Sequence, residues 1–143
     1  MYKACIIEDN PLIRTVLTSV LKQHNFEVSE FCNVRERCSG FQTTCGSDCK
    51  QTGPCHNMLI LFNCERDTSG VQFLKFIEQN HCPCSHSFKV LYTCKEVNVP
   101  ETTTLKNLHV QLVEKDNPAF DMLPMIEKYK EWLREQEVHV GEL

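Results

Sequence analysis

The sequence lacks any apolar run approaching the roughly 20 residues that a membrane-spanning helix needs, so no span is expected. It also lacks a surplus of positive charge: 15 Lys and Arg face 19 Asp and Glu, for a formal net charge of −4, and the basic residues form no long run. Without such a footprint there is no long-range pull toward a polyanion, and neither nucleic acid nor an anionic membrane is expected as a partner. Glu8 and Asp9 stand where a secretory leader would be apolar, so the expected location is cytoplasmic. No internal repeat and no domain linker interrupts the chain, and 143 residues suffice for one domain with its own core. No spacing offers a serine or cysteine nucleophile with its base, so no catalytic residue is assigned and no enzymatic activity is expected.

What is present is an alternation of strand-like and helix-like segments. Lys3 to Ile7 is a short apolar run followed at once by Glu8 and Asp9; then Asn10 is placed to cap a helix with Pro11 in its first turn. Leu12, Ile13, Val16, Leu17, Val20 and Leu21 recur at helical spacing and are expected to form one buried stripe. Phe26 to Phe31 alternates as a more exposed strand would, Met58 to Phe62 is a continuous apolar run of the kind buried on both faces of a parallel sheet, and Phe88 to Tyr92 is the next strand. Helical patterns cover Gly70 to Ile77 and, more weakly, Pro100 to Leu108. Val110 to Val113 is a fifth strand, and Pro118 to about Gln136 is the longest helix, with Phe120, Leu123, Ile126, Tyr129 and Leu133 on its stripe and Pro124 interrupting its start. The expected architecture is α/β: a doubly wound, parallel five-stranded sheet between two helical layers over residues 1–136. A Cys-rich insertion lies at about 43–56, and 137–143 is expected to be a frayed tail.

Four strand ends, taken in order, resemble the receiver domain of two-component response regulators, whose flavodoxin-like sheet has the order 2-1-3-4-5. Ile6-Ile7-Glu8-Asp9-Asn10-Pro11 is similar to the acidic pair that holds magnesium in that family. Leu59-Ile60-Leu61-Phe62-Asn63, with Gly70-Val71-Gln72-Phe73-Leu74 after it, resembles the third strand, phosphoacceptor loop and third helix. Val90-Leu91-Tyr92-Thr93-Cys94 resembles the fourth strand with its switch hydroxyl, and Leu112-Val113-Glu114-Lys115 the fifth with its lysine.

The resemblance implies a carboxylate nucleophile on the third strand, yet that position reads Asn63, or Phe62 if the register is shifted by one. An amide cannot be phosphorylated as an aspartate is, and it removes one negative ligand from a magnesium site. Asp67, in the loop, is an alternative acceptor. Leu112 stands where a rotating aromatic residue is usual, and Asp116 where proline is. The expectation is therefore a pseudo-receiver in which Glu8, Asp9, Thr93 and Lys115 persist as a polar cluster, with Lys115 paired to Asp9 and magnesium not expected. Signalling would proceed by phosphorylation-independent contact with a separate protein: an effector, a kinase or another receiver. Receivers often associate through the face built from the fourth helix, fifth strand and fifth helix; here Leu112, Met122, Met125, Tyr129 and Trp132 are expected to serve partner docking or a homodimer, or else simply to cover the sheet.

Ten cysteines call for their own account. In a reducing compartment metal ligation or plain thiols are favoured over disulfides. Cys45, Cys49 and Cys55 lie in the insertion, which leads into the third strand, and Cys82 and Cys84 lead into the fourth. In the inferred strand order these segments are neighbours, so the five thiols are a candidate structural zinc site, with disulfides, no site at all and an iron–sulfur cluster as the alternatives. A metal- or redox-sensing module on a receiver scaffold is thus the second functional reading. Cys5, Cys64 and Cys94, within or just after strands, are expected to be buried structural thiols.

Overall fold

β3 (Met58–Asn63) and β4 (Phe88–Thr93) are buried at every position, Lys89 included, as central strands covered on both faces are. The computed structural model describes residues 1–38, 41, 56–64, 67–94, 103 and 105–141, with side chains to 137. β1 (Tyr2–Ile7) lies between β3 and β2 (Phe26–Phe31), and β5 (Val110–Glu114) lies beyond β4. The sheet is parallel throughout, in the order β2-β1-β3-β4-β5. The two edge strands are more exposed, with one fully buried residue each, Phe26 and Val110.

Helices α1 (Pro11–Gln23), α2 (Val34–Arg37), α3 (Ser69–Gln79), α4 (Pro118–Asp121) and α5 (Leu123–Gly141) cover the two faces. Ile6, Ile60, Val90 and Tyr92 meet Leu17, Leu21, Met122, Ile126 and Tyr129 on one face. Ile7, Leu59, Leu61 and Leu91 meet Val34, Val71, Phe73, Leu74 and Ile77 on the other. The switch between adjacent residues follows from the two-residue period of a strand. Each fully buried Ile or Leu in these layers contributes about 1.5 to 3 kcal/mol relative to exposure.

Local chemistry sets the boundaries. Asn10 Oδ1 accepts from Leu12 N (2.9 Å) and Ile13 N (3.2 Å), fixing the start of α1 with Pro11 at its first position. Asn25, His81 and His109 take φ of 69°, 52° and 57° just after helical turns, ending each helix in the left-handed region before the chain continues. A 3₁₀ turn, Pro83–His86, sits between α3 and β4.

Several helix expectations change. Leu12 (77% exposed), Val16 and Phe120 are on the surface rather than in core stripes. Leu12 lies in the first turn of α1. The last helix is two helices, α4 and α5: Met122 ends the first, and Pro124, which has no N–H to donate to Phe120, falls at the second position of the next, where none is required. This break makes Met122, Met125, Ile126 and Tyr129 the buried stripe. Met122, Met125 and Tyr129 therefore cover the sheet. Trp132 is half-buried against Tyr129 and Phe88, and Leu112 is 40% exposed. Backbone helix also continues through residues 138–141, where a frayed tail was expected.

Candidate functional site at the carboxyl edge of the sheet

Parallel strands deliver their last residues to one edge, and here those residues are Glu8 after β1, Asn63 ending β3, Thr93 ending β4 and Lys115 after β5. Asn63 and Thr93 are register partners, and both are buried. Lys115 N donates to Thr93 O (2.7 Å), which fixes the lysine at the strand end. Its ammonium lies 2.6 Å from Glu8 Oε1 and over the rings of Tyr92 (5.3 Å) and Phe62 (5.9 Å). An aromatic floor beneath an ammonium adds a favourable electrostatic contact while keeping water from its underside.

Lys115 thus pairs with Glu8, and the expected Lys115–Asp9 pair is corrected: Glu8 is 1% exposed, whereas Asp9 faces solvent. The ladder continues one residue past β1, with Glu8 N donating to Phe31 O (3.0 Å), and the inward phase falls on Glu8. Arg14 Nη1 donates to Glu8 O (2.6 Å), and Asn10 N to Glu8 Oε2 (3.4 Å). Burial pushes the Glu8 carboxyl above the usual carboxylate range, against the opposing pull of Lys115.

Asn63 Oδ1 is buried without a hydrogen-bond partner among the described residues. An orphaned amide oxygen costs about 1 to 3 kcal/mol and is the kind of exception associated with function. Asp67 does not stand at the strand end: its backbone exchanges hydrogen bonds with Cys64 (3.1 and 3.2 Å), and its Oδ1 accepts from Ser69 N (3.0 Å). It is a turn residue at the start of α3. Tyr92, fully buried under Lys115, donates to Asp121 Oδ2, which also accepts from Asp116 N (3.0 Å). Burial first, and then the Asp121 carboxylate, push the Tyr92 phenol well above the usual range. This link from β4 to α4 has no local signal in the sequence, because its partners are 29 residues apart.

Several solved structures share this architecture. A CheY-like receiver domain protein from Methanospirillum hungatei JF-1 matches with a TM-score of 0.62 at 17% identity, over 97% of this chain and 98% of its own. CheY4 of Vibrio cholerae matches with 0.63 at 18% identity, over 90% and 98%. The receiver domain of NtrC4 from Aquifex aeolicus gives 0.63 at 18% identity, over 95% and 99%. The fold is that of a response-regulator receiver domain. No protein-family profile matches the chain, and no curated protein matches it.

TrrA from Thermotoga maritima, 19% identical with a TM-score of 0.61 over 92% of this chain and 98% of its own, was solved with Mg2+ and beryllofluoride. The donors at the carboxyl edge of this sheet fit a divalent cation poorly. Glu8 Oε1 already carries an ammonium at 2.6 Å, and β3 supplies a neutral amide where hard divalent cations favour carboxylates.

Cys45, Cys49 and Cys55 of the candidate zinc site lie outside the described residues. Cys82 is buried in the apolar cluster on the α3 face and Cys84 packs against the same cluster. Among the described residues, no group of three or more His, Cys, Asp or Glu side chains is arranged to hold a metal ion. Also among them, no helix is long and apolar enough to cross a membrane. Two of the three strand-associated thiols differ from expectation: Cys5 is buried, but Cys64 is half-exposed and Cys94 exposed, because both follow the last rung of their strands and stand outside the covered sheet.

Proposed function

We propose that the chain is a receiver-fold signalling module that works without phosphoryl transfer, by contact with a separate protein. The observation that supports this most directly is Asn63. It ends β3 opposite Thr93, beside the Lys115–Glu8 pair, at the place where the receiver resemblance calls for the acceptor carboxylate. Acyl phosphate formation needs an ionised carboxylate to attack phosphorus; an amide nitrogen has its lone pair delocalised into the carbonyl and does not attack. Asp67, the other carboxylate in this loop, is bound into the turn that starts α3. The persistence of Glu8 and Lys115 agrees with this reading, since a buried ion pair stabilises the strand ends whether or not chemistry occurs there.

The test is incubation of the protein with acetyl phosphate and magnesium, followed by intact-mass measurement. The expected result is an unchanged mass in both the wild type and Asp67→Asn. A stoichiometric, hydroxylamine-labile phosphate adduct on the wild type would overturn the reading, and its loss in Asp67→Asn would assign the acceptor.

A further inference from the structure

The last rung shared by β3 and β4 is Asn63 opposite Thr93, so the residues that follow, Cys64 and Cys94, leave the sheet side by side. The strands are still bonded there: Cys94 N donates to Asn63 O (3.2 Å), and the Cys94 thiol lies 3.6 Å from the same carbonyl, leaning across the gap toward β3. That carbonyl belongs to the peptide unit that enters Cys64. On the other side, the reciprocal bonds between Cys64 and Asp67 turn the chain sharply and hold Cys64 at the edge. Neighbouring strands lie about 4.8 Å apart, inside the roughly 4.4 to 6.8 Å between Cα atoms that a disulfide bridges without backbone movement. Both residues are thiols in the structure, one half-exposed and one exposed, so a reagent in solution has access to them.

We infer that Cys64 and Cys94 form a dithiol–disulfide couple at the carboxyl edge of the sheet, oxidised by a small-molecule disulfide of the glutathione type. Cys94, the more exposed, is the entry point. Its thiolate attacks one sulfur of the disulfide, forming a mixed disulfide and releasing the first thiolate. The Cys64 thiolate then attacks the Cys94 sulfur, forming the intramolecular bond and releasing the second thiolate. The two protons from the protein thiols go to the two released thiolates, so the protein loses two electrons and two protons and the small disulfide is reduced to two thiols. The bond would tie the turn at Cys64–Asp67 to the end of β4, next to Asn63 and Thr93. Redox state would thereby set the geometry of the edge described above. This inference stands whether or not the chain accepts phosphate.

The experiment treats the full chain with oxidised glutathione, blocks remaining thiols, digests with trypsin without reduction, and maps cross-links by mass. Residues 90–95 release Cys94 alone, whereas the fragment 51–66 carries both Cys55 and Cys64, so fragmentation within the peptide assigns the bond. The expected result is a Cys64–Cys94 link reversed by dithiothreitol. In Cys64→Ser that link is lost and a glutathione adduct remains on Cys94. Two results would overturn the inference: both cysteines recovered as separate adducts or blocked thiols in the wild type, or either one linked to a different cysteine. The wild-type map decides the matter even if a variant fails to fold.

Discussion

Lys115 Nζ lies 2.6 Å from Glu8 Oε1, with 15% and 2% of the two side chains exposed, so this ion pair is made largely out of water. Removing one member of such a pair leaves the other charge buried and unmatched, which costs about 3 to 5 kcal/mol, whereas replacing both by uncharged groups costs far less. Lys115→Met is therefore expected to lower stability by about that amount, and Glu8→Gln combined with Lys115→Met to recover most of the loss. Urea denaturation of the two single variants and the double variant measures the coupling. Additive losses would show that the pair contributes nothing beyond packing.

Two buried groups give stability opposite pH dependences. Glu8 has an ordinary value of 4.5 and a raised folded one, chiefly through burial. Between those values the native state keeps a proton that the unfolded chain has released, so stability falls as pH rises through the window above 4.5. Lys89 is lowered from 10.5, again chiefly through burial, with Glu78 and Cys84 opposing the shift. There the unfolded chain holds the extra proton, so stability rises with pH across the window just below 10.5. Denaturation over a pH series reads both slopes. Glu8→Gln is expected to abolish the acid-side slope and leave the alkaline one.

The sheet was readable because β3 is apolar up to its last residue, Asn63, because β4 is apolar but for Lys89 and Thr93, and because β2 opens with an alternating pattern. Helix faces were harder to read. In the last helical region the apolar residues spread over a wide arc, and the break at Met122 decides which of them turn inward; Phe120 ends 64% exposed and Tyr129 2%. The choice between Glu8 and Asp9 was hidden for a similar reason. Two adjacent acids at a strand end differ only in phase, and the phase depends on how far the ladder runs past the apolar residues. The neighbouring thiols Cys64 and Cys94 were readable in principle: each directly follows its strand-end residue, and the strand order makes those ends adjacent.

At Gly70, α3 comes close against the backbone of β3. A Cβ added there would lie 2.4 Å from Phe62 O and 3.2 Å from Leu91 Cδ1. The first of these is backbone in a central strand and cannot rotate away. Gly70→Ala is expected to cost about 1 to 3 kcal/mol through forced displacement, despite alanine's better helix propensity. Thermal melts decide this: an unchanged or raised midpoint would mean that α3 slides on β3 without penalty.

Trp132 distinguishes a docking residue from a core one. Its ring stacks on Tyr129 at 6.0 Å and 29°, and contacts Phe88 and His56 at centroid distances of 5.8 and 5.9 Å. Tyr129 OH in turn donates to His56 O (2.7 Å), so the indole covers the point where the chain enters β3. A carboxylate placed in this aromatic packing loses hydration without gaining a partner, and the cavity left by the indole adds to the loss. Trp132→Glu is therefore expected to destabilise the fold by about 3 kcal/mol and to leave the oligomeric state on size-exclusion chromatography as it is in the wild type. Trp132 is the chain's one tryptophan, so wild-type fluorescence gives an independent check: an indole packed in this way emits at shorter wavelength when folded and shifts to the red on unfolding. A variant that keeps its melting temperature while changing its elution volume would make Trp132 an association surface instead.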